Sequence, residues 1–401
     1  MRVLQINTVY KYGSTGKIVY DIHTMLTQNG HESFVCYGRG AKSYDSNVYK
    51  VSNEIEGKLQ ALYSRISGLA YSGSFFSTNK TLDIIKKVSP DVVHLHCLNG
   101  HFVNNYRLLD YLKSNHIRTV LTLHSEIMHT AKCGHAYDCE LWLAGCGKCP
   151  QLKIGPNSWL LDRTAEEWTL KKNIFSDFVD LIVVPVSQWL NDRAVKSPFF
   201  ADKYLEIIGN GIDTLEIFHP TSFSDIIQRH SLCNEIIILH VTASFINPIK
   251  GGQFILKMAE RFGDENVKFI IVGYNDREEK LPSNVVTVRH TENQIELAKY
   301  YSLADLTVLT SEKETFSMIC AESLSCGTPV VGFKAGAPEQ IALADYSEFV
   351  EYGDIDSLEA TIRFWMNKKK SISERIVLGA SARYSKEVMF ANYLALYKKQ
   401  A

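Results

Sequence analysis

Short apolar runs alternate with helix-like stretches along almost the whole chain, and this alternation limits the fold more than any other feature. In the first half the runs fall at residues 3–6, 33–37, 92–95, 119–123 and 181–184. In the second half they fall at 236–241, 267–272, 285–288, 306–309 and 329–332. Helix-like segments such as 17–28 and 106–115 lie between them. Strands that read as continuous apolar runs are buried on both faces, and helical crossovers make neighbouring strands parallel. The expected class is α/β, with parallel sheets covered on both sides. So many strands overfill a single twisted sheet, so two domains are expected, joined between residues 188 and 234. We place an N-terminal domain at 1–200, a second at 201–382 and a closing helical segment at 383–401 that packs back toward the first.

The bulk properties remove several function classes. With 401 residues, 45% hydrophobic and 22% charged, the chain has enough apolar material for two cores. A formal net charge of −1 gives no general attraction for nucleic acid, and none is expected as a partner. No apolar run reaches the roughly 18 residues that span a bilayer. Residues 1–7 lack the apolar core and cleavage site of a signal peptide, so a cytoplasmic protein with mostly reduced cysteines is expected.

Ligands of open α/β sheets sit beyond the carboxyl ends of strands, so candidate residues belong just after the apolar runs. After the run at 306–309 comes Glu314-Thr-Phe-Ser-Met-Ile-Cys-Ala-Glu322. A helix is expected from about 316 to 326, stopped by Gly327 and Pro329. Phe316, Ile319, Cys320, Ser323 and Leu324 would form its core stripe, with Glu322 well off centre. The unpaired N–H groups at Phe316, Ser317 and Met318 suit a phosphate. Eight helical residues at about 1.5 Å each separate the two acids by roughly 12 Å. That is comparable to a sugar, a diphosphate and a ribose end to end, and carboxylates accept hydrogen bonds from their hydroxyls. The alternative is a solvated loop acid and an exposed helix acid.

With Phe316 two residues after the first acid, and Ser325-Cys-Gly-Thr-Pro-Val-Val331 after the second, the segment resembles the donor-site signature of retaining glycosyltransferases of family 4. Gly336-Ala-Pro-Glu-Gln-Ile341 extends the likeness. The resemblance implies the GT-B architecture, two facing Rossmann-like domains with a cleft between them. It implies transfer of a sugar from a nucleotide diphosphate to a glycan or lipid-linked acceptor, with retention at the anomeric carbon. Glu314 would lie near the transferred sugar and Glu322 would hold the ribose. The backbone of Phe316, Ser317 and Met318 would meet phosphate and sugar.

Other motifs fit around that centre. Lys250, in Asn247-Pro-Ile-Lys-Gly-Gly252, is expected to open a helix, where the dipole disfavours a cation unless it serves an anion such as the leaving diphosphate. The family commonly carries an Arg as well, and Ser244 or its neighbour stands in that place. His124, at the end of Val120-Leu-Thr-Leu-His-Ser125, would line the sugar site, although the family often has Asp where Ser125 stands. Gly16, in Tyr12-Gly-Ser-Thr-Gly-Lys17, would let the backbone approach a phosphate; the loop is not G-x-G-x-x-G. His94 and His96 alternate on one strand face and read as a metal pair or as buried hydrogen-bonded rings. His101 and Asn104 follow and would meet an acceptor sugar. Residues 89–152 resemble the branch that builds colanic acid, capsule and lipopolysaccharide sugars.

Cys133, Cys139, Cys146 and Cys149 form a dense cluster. It reads either as a structural zinc site, with His129 and His135 as substitute ligands, or as a reduced packed loop. Catalysis itself is expected to need no metal. Asp354-Ile-Asp356 reads as a helix start capped by Asp356 or Ser357, not as a metal motif. Residues 58–76 read as an ordinary packed helix or as a surface resting on the inner membrane. Other activities compatible with the pattern are a silent sugar-binding protein and a nucleotide-sugar epimerase.

Overall fold

The computed structural model describes residues 1–275, 280–291, 293–368 and 373–399. The chain forms two units, Met1–Gly209 with Phe390–Ala401, and Asn210–Met389. The first holds a seven-stranded sheet of β1 (Arg2–Asn7), β2 (Glu32–Tyr37), β3 (Val48–Lys50), β4 (Val92–Leu95), β5 (Thr119–Leu123), β6 (Leu181–Pro185) and β7 (Tyr204–Leu205). The second holds a six-stranded sheet of β8 (Ile236–Val241), β9 (Val267–Val272), β10 (Val285–Val288), β11 (Leu306–Leu309), β12 (Val330–Phe333) and β13 (Ser347–Val350). Every pairing in both is parallel.

The orders are β3-β2-β1-β4-β5-β6-β7 and β10-β9-β8-β11-β12-β13. Each sheet grows outward from its first strand in one direction and then restarts on the other side. Each therefore has a switch point, between β1 and β4 and between β8 and β11, where adjacent strand ends leave a crevice. The second core shows why the apolar runs become central strands. Phe269, Ile271, Val308 and Val331 pack against Ile255, Met258 and Ala259 of helix Gly252–Arg261, and against Leu358, Ile362 and Trp365 of helix Ile355–Met366.

Several boundaries differ from the sequence reading. The short edge strands β3, β7 and β13 were not expected; two to four residues carry too little alternation to register. The closing segment holds one helix, Lys386–Lys398, which a break at Ser385 separates from the preceding helix Ser373–Tyr384. Asp354, not Asp356 or Ser357, caps helix Ile355–Met366: its carboxylate accepts from the Ser357 N–H at 3.0 Å. Asp356 instead pairs with Arg261. Helix Glu54–Ser67 is not an ordinary packed helix, because Ile55, Leu59, Leu62, Tyr63 and Ile66 are all exposed. Among the described residues no helix is long and apolar enough to cross a membrane.

Candidate active site

The second switch point holds most of the expected donor residues. The loop after β8 turns at Gly251, whose φ of +70° brings the backbone so close to Thr310 that a Cβ would stand 2.1 Å from the Thr310 carbonyl oxygen. Glycine is the residue this approach tolerates. The Thr310 hydroxyl donates to the carbonyls of Lys250 and Gly251, and the Glu312 N–H donates to Ile249 O at 2.8 Å. The β8 loop is thus tied to the β11 loop, and Lys250 reaches across to Glu314, Nζ to Oε1 at 2.7 Å. Lys250 closes a 3-10 turn, Pro248–Lys250, and the helix begins two residues later at Gly252, so the expected placement of Lys250 at the helix start is corrected.

Glu314 is fixed through its backbone. Its N–H donates to Ala335 O at 2.9 Å and its carbonyl accepts from the Ala337 N–H at 3.1 Å, a short bridge centred on Gly336. That partner segment is held by Glu339, whose carboxylate accepts from the N–H groups of Ala335 and Gly336 at 3.0–3.1 Å. Ser317 caps helix Met318–Ser325 at φ +80°, a conformation that costs a residue bearing a Cβ roughly 1–2 kcal/mol, and its hydroxyl accepts from the Cys320 N–H. Phe316 and Ser317 are both buried. Ser244 accepts from the Asn247 N–H and donates its own N–H to the Thr242 hydroxyl, the work of a turn residue.

Glu322 is neither solvated nor on the far side of its helix. It is buried, and its Oε2 accepts from the Tyr301 hydroxyl at 2.9 Å. A buried carboxylate requires such donors. His240, near the end of β8, donates from Nδ1 to Val308 O at 3.0 Å; its Nε2 is buried without a hydrogen bond, and burial drops its pKa to about 4.

In the first unit the expected histidines form one connected cluster. His96 Nδ1 lies 3.3 Å from His124 Nε2, and His96 Nε2 lies 3.2 Å from Gln5 Oε1. His94 stacks on His96 with ring centroids 3.8 Å apart. Its nitrogens meet the Tyr397 hydroxyl at 2.6 Å and the Thr122 hydroxyl at 2.7 Å. The pair is therefore hydrogen-bonded rather than poised for a metal. Burial lowers the pKa of all three rings, His124 to about 4, so each is neutral near pH 7. His124 can exchange a hydrogen bond with a ligand but brings no charge.

Gly16 lies in the first turn of helix Gly13–Gln28, where a Cβ would press on Val9 and on the Lys11 backbone. His101 sits at φ +52° with its ring 5.4 Å from that of Tyr71. Asn104 is taken up by the fold: it caps helix Asn105–Ser114 by accepting from the Arg107 N–H at 3.1 Å, and its amide donates to Ser72 O.

A profile described as Glycosyltransferase Family 4 matches residues 15–215, and one described as Glycosyl transferases group 1 matches residues 235–368. The chain belongs to glycosyltransferase family 4. It is a hexosyltransferase-type enzyme built from two parallel-sheet Rossmann-like units of the GT-B class. This family 4 chain is 22% identical over 353 residues to the putative colanic acid biosynthesis glycosyl transferase WcaC of Escherichia coli K12, covering 85% of each. Its fold resembles that of a glycosyltransferase from Rickettsia africae ESF-5, with TM-score 0.68, 14% identity and coverage of 99% and 97%. It also resembles Anabaena HepE solved with UDP, with TM-score 0.69, 15% identity and coverage of 99% of both chains.

Two residues of the candidate site escaped the sequence reading. Glu339 stood inside the quoted Gly336-Ala-Pro-Glu motif, so a signal existed. Tyr301 had none, since it reaches Glu322 from another helix, Gln294–Leu303.

Proposed function

We propose that this enzyme moves a hexose from a nucleoside diphosphate sugar to a glycan or lipid-linked acceptor in surface polysaccharide synthesis, with retention at the anomeric carbon. The observation that carries this reading is the Lys250–Glu314 pair, held at 2.7 Å over a switch point just ahead of the start of helix Met318–Ser325. The diphosphate meets the N–H groups of that helix start and the Lys250 ammonium. Lys250 then shares its charge between Glu314 and the phosphate, and Glu314 accepts hydrogen bonds from the sugar hydroxyls. Glu322, already oriented by Tyr301, accepts from the ribose hydroxyls.

As the bond from the anomeric carbon to the phosphate oxygen breaks, negative charge grows on the departing diphosphate. Lys250 and the helix start stabilise it there without reorganising. The acceptor hydroxyl bonds to the same carbon from the same face, and its proton passes to the leaving phosphate oxygen. Neutral His124 is assigned a hydrogen bond to the sugar, Gly16 a close backbone approach to the donor, and Ser244 a place beside the diphosphate. His101 and Asn104 are assigned to the acceptor side, Asn104 through its backbone because its amide caps a helix. The uncovered apolar face of helix Glu54–Ser67 suits a lipid-linked acceptor at a membrane surface. HepE, solved with UDP and with UDP-glucose, makes UDP the first nucleotide to test, and the WcaC likeness supports the polysaccharide role.

Calorimetry with UDP, GDP and ADP on the wild type, Glu322→Ala and Lys250→Ala tests the assignment. Glu322→Ala should weaken the preferred nucleotide about tenfold or more, a loss of at least ~1.4 kcal/mol. Lys250→Ala should reduce turnover more than affinity, because its role grows with the leaving charge. Unchanged affinity in Glu322→Ala removes the ribose assignment. Conversion of the donor without any acceptor would favour the epimerase.

A further inference from the structure

The loop that follows His124 carries chemistry that sugar transfer does not use. Cys133, Cys139, Cys146 and Cys149 all line one cavity of about 10 Å³, roughly the room for one water-sized sphere. None is in a disulfide. Ala131, Leu141, Trp142 and Pro150 supply apolar walls. The Cys133 and Cys149 thiols hydrogen-bond to each other. Backbone of Gln151 hydrogen-bonds the Cys149 sulfur, and backbone of Ala131 hydrogen-bonds that of Cys146.

The surroundings are charged to match. Lys132 and Lys171 are both buried. The Lys132 ammonium donates to Leu152 O and Pro156 O; the Lys171 ammonium donates to Ile127 O, Thr130 O and Ala131 O. Lys171 is within electrostatic reach of Cys133 and Cys146, and Lys132 of Cys149. Two buried cations beside four thiols fit a cluster that carries negative charge, and burial raises the pKa of Glu167, the carboxylate near Lys171.

The backbone supplies one turn of the expected shape. Cys146-Gly-Lys-Cys149 is a C-x-x-C, and both residues between its cysteines have positive φ, Gly147 at +146° and Lys148 at +48°. The wider spacing from Cys133 to Cys139 is closed by the fold of the loop, which returns both to the same cavity. Histidine substitutes are not needed: His129 is engaged by Glu126 at 3.3 Å and packs edge-on to Trp142.

We propose that Cys133, Cys139, Cys146 and Cys149 bind one structural zinc ion as four thiolates in a tetrahedron. Four thiolates on Zn²⁺ carry two negative charges, which Lys132 and Lys171 balance. Among the described residues no three Cys, His, Asp or Glu side chains already stand closed on one point. Zinc binding therefore has to draw the four thiols together across the cavity they share, and it releases their protons. The ion does no chemistry on the sugar. It pins a long loop whose regular structure is two 3-10 turns, Glu126–Met128 and Leu141–Leu143, directly after His124.

The test uses the full chain. Elemental analysis of protein made in zinc-supplemented medium should give about one zinc per chain in the wild type and in Glu322→Ala, and almost none in the double variant Cys146→Ser/Cys149→Ser. Retention by Glu322→Ala separates this site from the donor site. If the double variant does not fold, cobalt added to the metal-stripped wild type gives the second reading. Four thiolates should produce an intense near-ultraviolet sulfur-to-cobalt charge-transfer band and tetrahedral visible bands. Metal-free wild type with no such band, zinc kept by the double variant, or a native disulfide among these cysteines overturns the proposal.

Discussion

A carboxylate out of water must find donors, and Glu126 shows how this chain provides them. Glu126 is buried, and its oxygens accept from Arg193 Nε at 2.5 Å, the Ala136 N–H at 2.7 Å and His129 Nε2 at 3.3 Å. Burial pushes its pKa up, but those partners together outweigh it and draw the pKa down to about 2 from 4.5. Of the lowering influences His129 is the largest, by hydrogen bond and by charge, followed by the Arg193 charge and the Ala136 N–H. Because the folded value is depressed, the stabilisation is complete above about pH 5 and is lost as pH falls toward 2, on the order of 3 kcal/mol in all. Urea unfolding of wild type and Glu126→Gln at pH 7 should therefore differ by up to about that amount, and the gap should narrow at pH 3. A gap independent of pH would mean the carboxylate's charge does not contribute. Nothing in the sequence marked Glu126, since its partners lie up to 67 positions away. Glu314 and Lys250 were legible as residue types after strands, yet their pairing was not, because a Gly251 that touches Thr310 leaves no period to read.

Elements were legible where burial is complete. The central strands of both sheets lie within a residue or two of the apolar runs, because a strand covered on both faces has little freedom in composition. Edges and caps were not: Ser317 at positive φ delays its helix to Met318, and the last helix starts at Lys386, after a break at Ser385. The last helix contributes more than coverage. Tyr393 and Tyr397 are fully buried in the first unit, where Tyr393 meets Thr122 at 2.8 Å and Tyr397 meets His94 at 2.6 Å. Tyr397→Phe leaves one buried His94 nitrogen without its partner and should lower stability by about 1–3 kcal/mol. Thermal unfolding checks this, and the conservative ring keeps the packing. Stability equal to the wild type would mean that the hydroxyl is dispensable and that the helix is held by its apolar contacts alone.

On the scale of the whole molecule, the same strand order occurs twice, but the two units carry different chemistry. Lys250, Glu314, Glu322 and the helix start at Ser317 all belong to Asn210–Met389, while the neutral histidine cluster belongs to the other unit. A nucleotide that binds folded but not unfolded protein stabilises what it binds by RT ln(1 + [L]/Kd), about 2.7 kcal/mol at a hundred times Kd. If the donor nucleotide is gripped as proposed, this stabilisation falls first on β8, β11 and the segment around Glu314. Hydrogen exchange followed by mass spectrometry should then show amides there slowed by up to about a hundredfold at saturating UDP. Amides of β1, β2 and β3 should be slowed far less. Glu322→Ala should reduce the protection in step with its loss of affinity, linking the effect to the ribose contact rather than to general compaction. Equal slowing in both sheets, or slowing confined to the first, would place the nucleotide elsewhere and leave Lys250 and Glu314 as a structural ion pair.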